Sequence, residues 1–158
     1  MDFGWKSEAL SIYAWICMRI LQAGLLYFVL VFGAGFVLGP IRLFWIVPRV
    51  GTSVAELIES PIMLLVIIFA ARWVAQRLAV PPAVSSRLGM GCFALGLLLA
   101  AELGFVLQLR GLTIAAYLAS RDPVSGSVYY AMLGLFALMP LFVASRWQMI
   151  FMRRSVSF

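Results

Sequence analysis

The chain has 158 residues, is 65% hydrophobic and only 11% charged, and carries a formal net charge of +6. A soluble domain has roughly 25% charged residues, and a monomer this apolar would expose more hydrophobic surface than water tolerates. A bilayer is the expected solvent, and nucleic acid is excluded as a partner because the basic residues sit scattered at the ends of apolar runs and form no stripe.

Residues Met1 to Met18 combine Trp5, Tyr13 and Trp15 with Lys6 and Glu8, the pattern of an amphipathic helix lying in the membrane interface. A second reading takes Met18 as the native start and the preceding residues as an upstream extension. Beyond them, a hydrocarbon core of about 30 Å takes about 20 apolar residues as a helix. Four runs qualify: Ile20–Val47, Val54–Ala75, Leu88–Leu109 and Val128–Ser145. The first is too long for a cleaved signal sequence and lacks a small-residue cleavage site. The expected organisation is an N-terminal interfacial segment over 1–19, a transmembrane domain over 20–146 and a basic tail over 147–158. The fold class is therefore all-α, a polytopic transmembrane four-helix bundle.

Breakers separate the runs. Pro48 and Gly51 mark the first connection, and Pro81-Pro82 with Ser85-Ser86 the second. Ser120-Arg121-Asp122-Pro123-Val124-Ser125-Gly126 marks the third, where Asp122 before proline favours a turn and Ser125 or Ser127 suits the N-cap of the last helix. Residues Leu112 to Leu118 read as a short interfacial helix ahead of it. Pro40 and Pro140 predict kinks inside the first and last runs.

With an even number of spans both termini share one side. That side holds eight basic residues (Lys6, Arg19, Arg72, Arg77, Arg87, Arg146, Arg153 and Arg154) against two acids, and the other side holds four of each. The positive-inside rule then places both termini in the cytoplasm. Tyr129, Tyr130, Trp73 and Trp147 at span ends fit interfacial aromatic belts.

An ionised side chain inside an apolar run must be paired, solvated or neutralised, so the few buried charges carry most of the functional information. Arg42, Arg49, Glu56, Glu59 and Glu102 all fall toward the outer ends of their runs. Counting from those ends at about 1.5 Å per residue puts Arg42, Glu59 and Glu102 at one depth, about 7–11 Å below the interface. Arg42 and Arg49 are seven apart and share a helical face if the helix continues past Pro48; Glu56 and Glu59, three apart, share another. The short first connection makes the first two spans antiparallel neighbours, so Arg42 faces Glu56 or Glu59. Three readings follow: a clamp fixing helix register, an outward-facing polar site for a cation, protons or an anionic lipid headgroup, or side chains snorkelling to the interface. On the same outer side, Arg121 and Asp122 make the connecting loop a candidate docking element.

Gly35 and Gly39 form a GxxxG pair inside the first run, and Gly89, Gly91 and Gly96 in the third with Gly134 in the fourth extend the small-residue pattern. Such residues let helices approach closely, within the bundle or against another chain; the spacing does not fit a dinucleotide loop. There is no His, and Cys17 and Cys92 are isolated. The commonest general base and metal ligand is thus missing, the cysteines read as small packing residues, and no cofactor, metal site or catalytic residue is expected.

Arg42 with Pro48-Arg49-Val50-Gly51, the run Ala55-Glu56-Leu57-Ile58-Glu59-Ser60-Pro61-Ile62-Met63, Ala71-Arg72-Trp73, and Tyr117-Leu118-Ala119-Ser120-Arg121-Asp122-Pro123-Val124-Ser125-Gly126 resemble a family of uncharacterised small bacterial inner-membrane proteins. The resemblance spans Met18 to Arg146 and implies a four-span fold and residence in the bacterial inner membrane. It implies no catalytic residues. The expected role is that of a non-enzymatic accessory, assembly or scaffold subunit, partnered by the bilayer and by other membrane chains or copies of itself. The alternative is a small oligomeric ion- or proton-coupled transporter using Glu56, Glu59 and Glu102.

Overall fold

The computed structural model describes residues 4–110 and 123–155, with side chains described between residues 8 and 104 and between 126 and 143. Helix α1 spans Gly4–Ile41, a π turn covers Arg42–Ile46, and α2 is the single turn Val47–Val50. Helices α3 (Thr52–Arg77), α4 (Val84–Arg110) and α5 (Pro123–Ser155) follow. Four stretches are long and apolar enough to cross a membrane: Leu10–Val50, Thr52–Arg77, Val84–Gly104 and Gly126–Val143. The fold is thus an all-α, four-helix bundle of membrane-span type.

In a bilayer every backbone polar group must be bonded internally, which is why these apolar runs are helices throughout. The helices outrun the apolar windows from which the sequence places them. The N-terminal segment expected at the interface is helical and runs into the first span with no break at residue 19, and α5 continues past Trp147 to Ser155. The last helix also begins earlier than its serines propose. Pro123 occupies its first position, where the missing N–H costs nothing, so Ser125 and Ser127 lie inside the helix. Arg121, Asp122 and residues 112–118 lie outside the described residues.

Each of the four long helices packs against two of the others. α1 touches α3 and α4, and α5 touches the same two, leaving α1 and α5 on one diagonal and α3 and α4 on the other. Short connections ordinarily join adjacent antiparallel helices, yet residues 78–83, linking α3 to α4, cross between diagonal corners. That crossing runs over the basic end of the bundle: Val80 is buried in the core cluster, with Leu78 packed against it, while Ala79, Pro82 and Ala83 are exposed. Ala79 takes a left-handed φ of 46° to make the turn.

Tyr27, Met90, Val74, Phe136 and Pro140 fill the centre. Across the α1–α5 diagonal, the rings of Tyr27 and Phe136 stack with centroids 4.5 Å apart. The Tyr27 hydroxyl donates to the Phe136 carbonyl at 2.9 Å. That carbonyl is the one an N–H at position 140 would bond, and Pro140 has none. A tyrosine from the opposite corner supplies the donor that the proline removes.

Close helix approach falls on glycines other than most of those singled out above. A Cβ on Gly91 would collide with the Ala137 carbonyl oxygen, and one on Gly24 would lie 2.7 Å from a Phe93 ring carbon. Gly35 and Gly89 make ordinary contacts, with Met63 and Ile20 respectively. Gly39, Gly96 and Gly134 have no neighbour within 4 Å of a built Cβ, so internal packing does not use them. The GxxxG spacing identifies a narrow face but not which way it points. Cys17 and Cys92 are free thiols on exposed surfaces, not core packing residues.

Candidate functional site: a charge clamp at the end opposite the termini

The first two spans are joined by a tight reversal. Pro48 opens α2, and Gly51 turns the chain at φ 83°, a conformation that disfavours side chains. Gly51 N–H donates to the Val47 carbonyl and Ala55 N–H to the Gly51 carbonyl, so the backbone stays bonded through the turn. The contact of Gly35 with Met63 sets the antiparallel register, which brings Arg42 opposite Glu56. Helical side chains lean toward the N-terminus of their own helix. Arg42 therefore leans into the bundle and Glu59 leans outward, and they meet: Arg42 Nη1 lies 3.0 Å from Glu59 Oε2 and 3.8 Å from Glu56 Oε1.

The two contacts differ in quality. Glu59 is the more enclosed carboxylate, with 14% of its side chain exposed against 33% for Glu56. Despite the short separation, Glu59 Oε2 is buried and has no aligned hydrogen-bond donor among the described residues. The Arg42–Glu59 contact is thus held by Coulomb attraction between close charges, without the added strength of a linear N–H···O geometry. Ser60 bonds back to the Glu56 carbonyl at 2.8 Å, one turn behind it and directly before Pro61.

Arg49 does not join the clamp. The π turn bonds Val47 N–H to the Arg42 carbonyl, five residues back. This takes up one extra residue and turns the helix beyond it by about 100° relative to a regular α-helix. Arg42 and Arg49 then no longer share a face. Arg49 is exposed beside Phe44, Trp45 and Pro48, where a shallow surface hollow forms.

Glu102 does not join it either. α1 and α4 run parallel, with Ile20 at Gly89 and Gly24 at Phe93, an offset of 69 residues in both contacts. Glu102 therefore stands level with Gly33, about 13 Å short of Arg42 along the axis. It accepts a hydrogen bond from the Tyr129 hydroxyl of α5 instead. Depth counted from span ends fails here because the first span, continued through the π turn and α2 to Val50, reaches further than α4, whose end at Arg110 is level with Ile41. The Tyr129 partner is absent from the sequence reading, which assigns that residue to an aromatic belt.

The arrangement fastens the π turn at the end of α1 to α3 by charge, and α4 to α5 by a carboxylate–phenol bond. The clamp holds one carboxylate more than it has guanidinium groups. Among the described residues no set of three or more His, Cys, Asp or Glu side chains gathers to hold a metal. Comparison with protein-family models, with curated proteins and with solved structures finds no match to this chain.

Proposed function

We propose that this chain is a non-enzymatic accessory, assembly or scaffold subunit of the bacterial inner membrane, with both termini in the cytoplasm. It holds other membrane chains, or further copies of itself, against its outer surface. The observation that carries this reading is the division of its glycines. Gly24 and Gly91 serve the interior, whereas Gly39, Gly96 and Gly134 have open space where a Cβ would be. Small residues on an outer helix face permit the close backbone approach on which association in lipid depends, because burial from water contributes little there. The excess of basic residues on the terminal side supports the orientation.

The test is extraction from native membranes in mild detergent. A membrane chain that copurifies in fixed ratio and is lost on Gly96→Leu or Gly134→Leu is the expected result. A free monomer with nothing bound would overturn the proposal.

One observation favours a second reading, an oligomeric ion- or proton-coupled transporter. The surplus carboxylate and the unaligned Glu59 oxygen leave room for a cation or proton at the outer end. The connection crossing the basic end of the bundle, with Val80 seated in the core, weighs against a pathway through a single copy. Liposome flux that persists unchanged in Glu59→Gln would remove this reading.

A further inference from the structure

The opposite, basic end of the bundle holds a second constellation. Arg87, in the first turn of α4, is only 9% exposed. Its side chain reaches back over the crossing connection: Nε donates to the Pro81 carbonyl at 3.2 Å and Nη2 to the Val80 carbonyl at 3.0 Å. The remaining nitrogen, Nη1, is buried and has no hydrogen-bond partner among the described residues. From the neighbouring helix, Arg19 Nη1 lies 3.4 Å from the Leu78 carbonyl. The contact of Gly89 with Ile20 places these two arginines at nearly the same level of parallel helices. Two guanidinium groups thus converge on one four-residue stretch of backbone, and no carboxylate pairs with either among the described residues.

Carbonyl oxygens offset part of this charge but do not neutralise it. The positive character is increased by the α4 N-terminus. The amides of Val84, Ser85 and Ser86 precede the first bond closing the helix, which Arg87 N–H makes to the Ala83 carbonyl. Residues 82–85 are exposed, so this turn is open on one side. Beside it, the Arg19 guanidinium lies 3.7 Å from the centre of the exposed Trp15 ring. An exposed tryptophan is a residue of the headgroup layer. A buried donor without an acceptor, a second arginine, a helix N-terminus and an interfacial ring together call for an anion at headgroup depth.

We propose that this end binds the phosphate of an anionic phospholipid. Nη1 of Arg87 is its inner donor, gained by a shift of the guanidinium toward exposed residues 82–85. Arg19 and the first amides of α4 surround the remaining phosphate oxygens. Arginine suits this task because its planar fork keeps two donors on the connection while a third meets the ligand. A bound lipid would pin α1, α4 and the crossing segment together at the end of the bundle that lacks the outer charge clamp.

The experiment is native mass spectrometry of the full chain in mild detergent, titrated with phosphatidylglycerol, with phosphatidylcholine and, in a separate arm, with inorganic phosphate. One phosphatidylglycerol is expected to bind about tenfold more tightly than phosphatidylcholine, whose choline cation cancels the negative charge that the two arginines attract. Arg87→Lys and Arg19→Gln should each weaken that adduct about five- to tenfold, and Arg49→Gln at the far end should leave it unchanged. If Arg87→Lys fails to fold, Arg19→Gln alone carries the test. Equal retention of the two lipids, or undiminished phosphatidylglycerol binding in the folded variants, would overturn the proposal. Displacement of the lipid by millimolar inorganic phosphate would overturn it as well, by assigning the pocket to a soluble anion.

Discussion

Replacing Tyr27 with Phe removes one oxygen and little else, because the ring stacked on Phe136 stays in place. The Phe136 carbonyl then loses its 2.9 Å donor. Pro140 has no N–H to offer, and both Tyr27 and Phe136 are fully buried, so water does not replace it. A buried acceptor left unsatisfied costs about 1–3 kcal/mol. Interhelical hydrogen bonds measured in lipid average about 0.6 and reach about 1.7 kcal/mol, because the unfolded chain in the membrane also finds partners. The absence of a backbone alternative puts this bond at the upper end, so we expect a loss of about 1–2 kcal/mol. The second arm is Pro140→Ala, which restores an N–H able to bond the same carbonyl. In that background Tyr27→Phe should cost less than half as much, giving a coupling energy of about 1 kcal/mol. The assay is reversible unfolding of all four proteins in mixed micelles, followed by circular dichroism as the denaturing detergent fraction rises. An equal cost of Tyr27→Phe in both backgrounds would refute the reasoning, since the hydroxyl would then contribute independently of the proline.

Gly91→Ala sets a methyl against the Ala137 carbonyl and should destabilise the bundle by about 1–3 kcal/mol, whereas Gly96→Ala and Gly134→Ala should stay within about 0.5 kcal/mol; thermal melts of purified protein decide it. Arg42→Ala leaves two carboxylates without their cation and should sharply reduce the yield of folded protein in membranes. Glu59→Gln should destabilise more than Glu56→Gln, because Glu59 is the closer and more enclosed partner; equal melting temperatures for the two variants would count against the clamp as described. Cys17 is exposed near the basic end, so a membrane-impermeant maleimide should label it in inverted vesicles and not in intact spheroplasts. Labelling from outside would reverse the proposed orientation.

The parts legible in the sequence are those fixed by the solvent and by short chain connections. Apolar runs of span length have one stable backbone solution in lipid, so four helices follow from composition and length. The Arg42–Glu59 contact is legible because a few residues around Pro48 and Gly51 bring the two helices side by side, and because Glu56 and Glu59 share a face. What the sequence hides is register. The π turn at Arg42–Ile46 rotates Arg49 off the face that heptad spacing assigns to it, and no residue in that turn announces a π helix. Glu102 is misplaced by a depth scale counted from span ends, since the α1–α4 offset depends on Gly24 seating against Phe93 of α4 and Gly89 against Ile20 of α1.

The crossing connection shows how one such hidden feature organises the rest. Because residues 78–83 run between diagonal corners, α1 and α5 face each other across the centre without touching along their backbones. Only a large side chain bridges that gap, and Tyr27 does so. The same crossing places peptide carbonyls at the basic end, where Arg19 and Arg87 meet them. Burial of an arginine among apolar helices is costly unless its donors are used, so the topology of the connection accounts for the presence of Arg87 there. It also accounts for the one nitrogen left over, Nη1, which the backbone oxygens do not reach. The tyrosine that bridges the centre and the arginine just after the short loop thus both answer to one diagonal step in the chain.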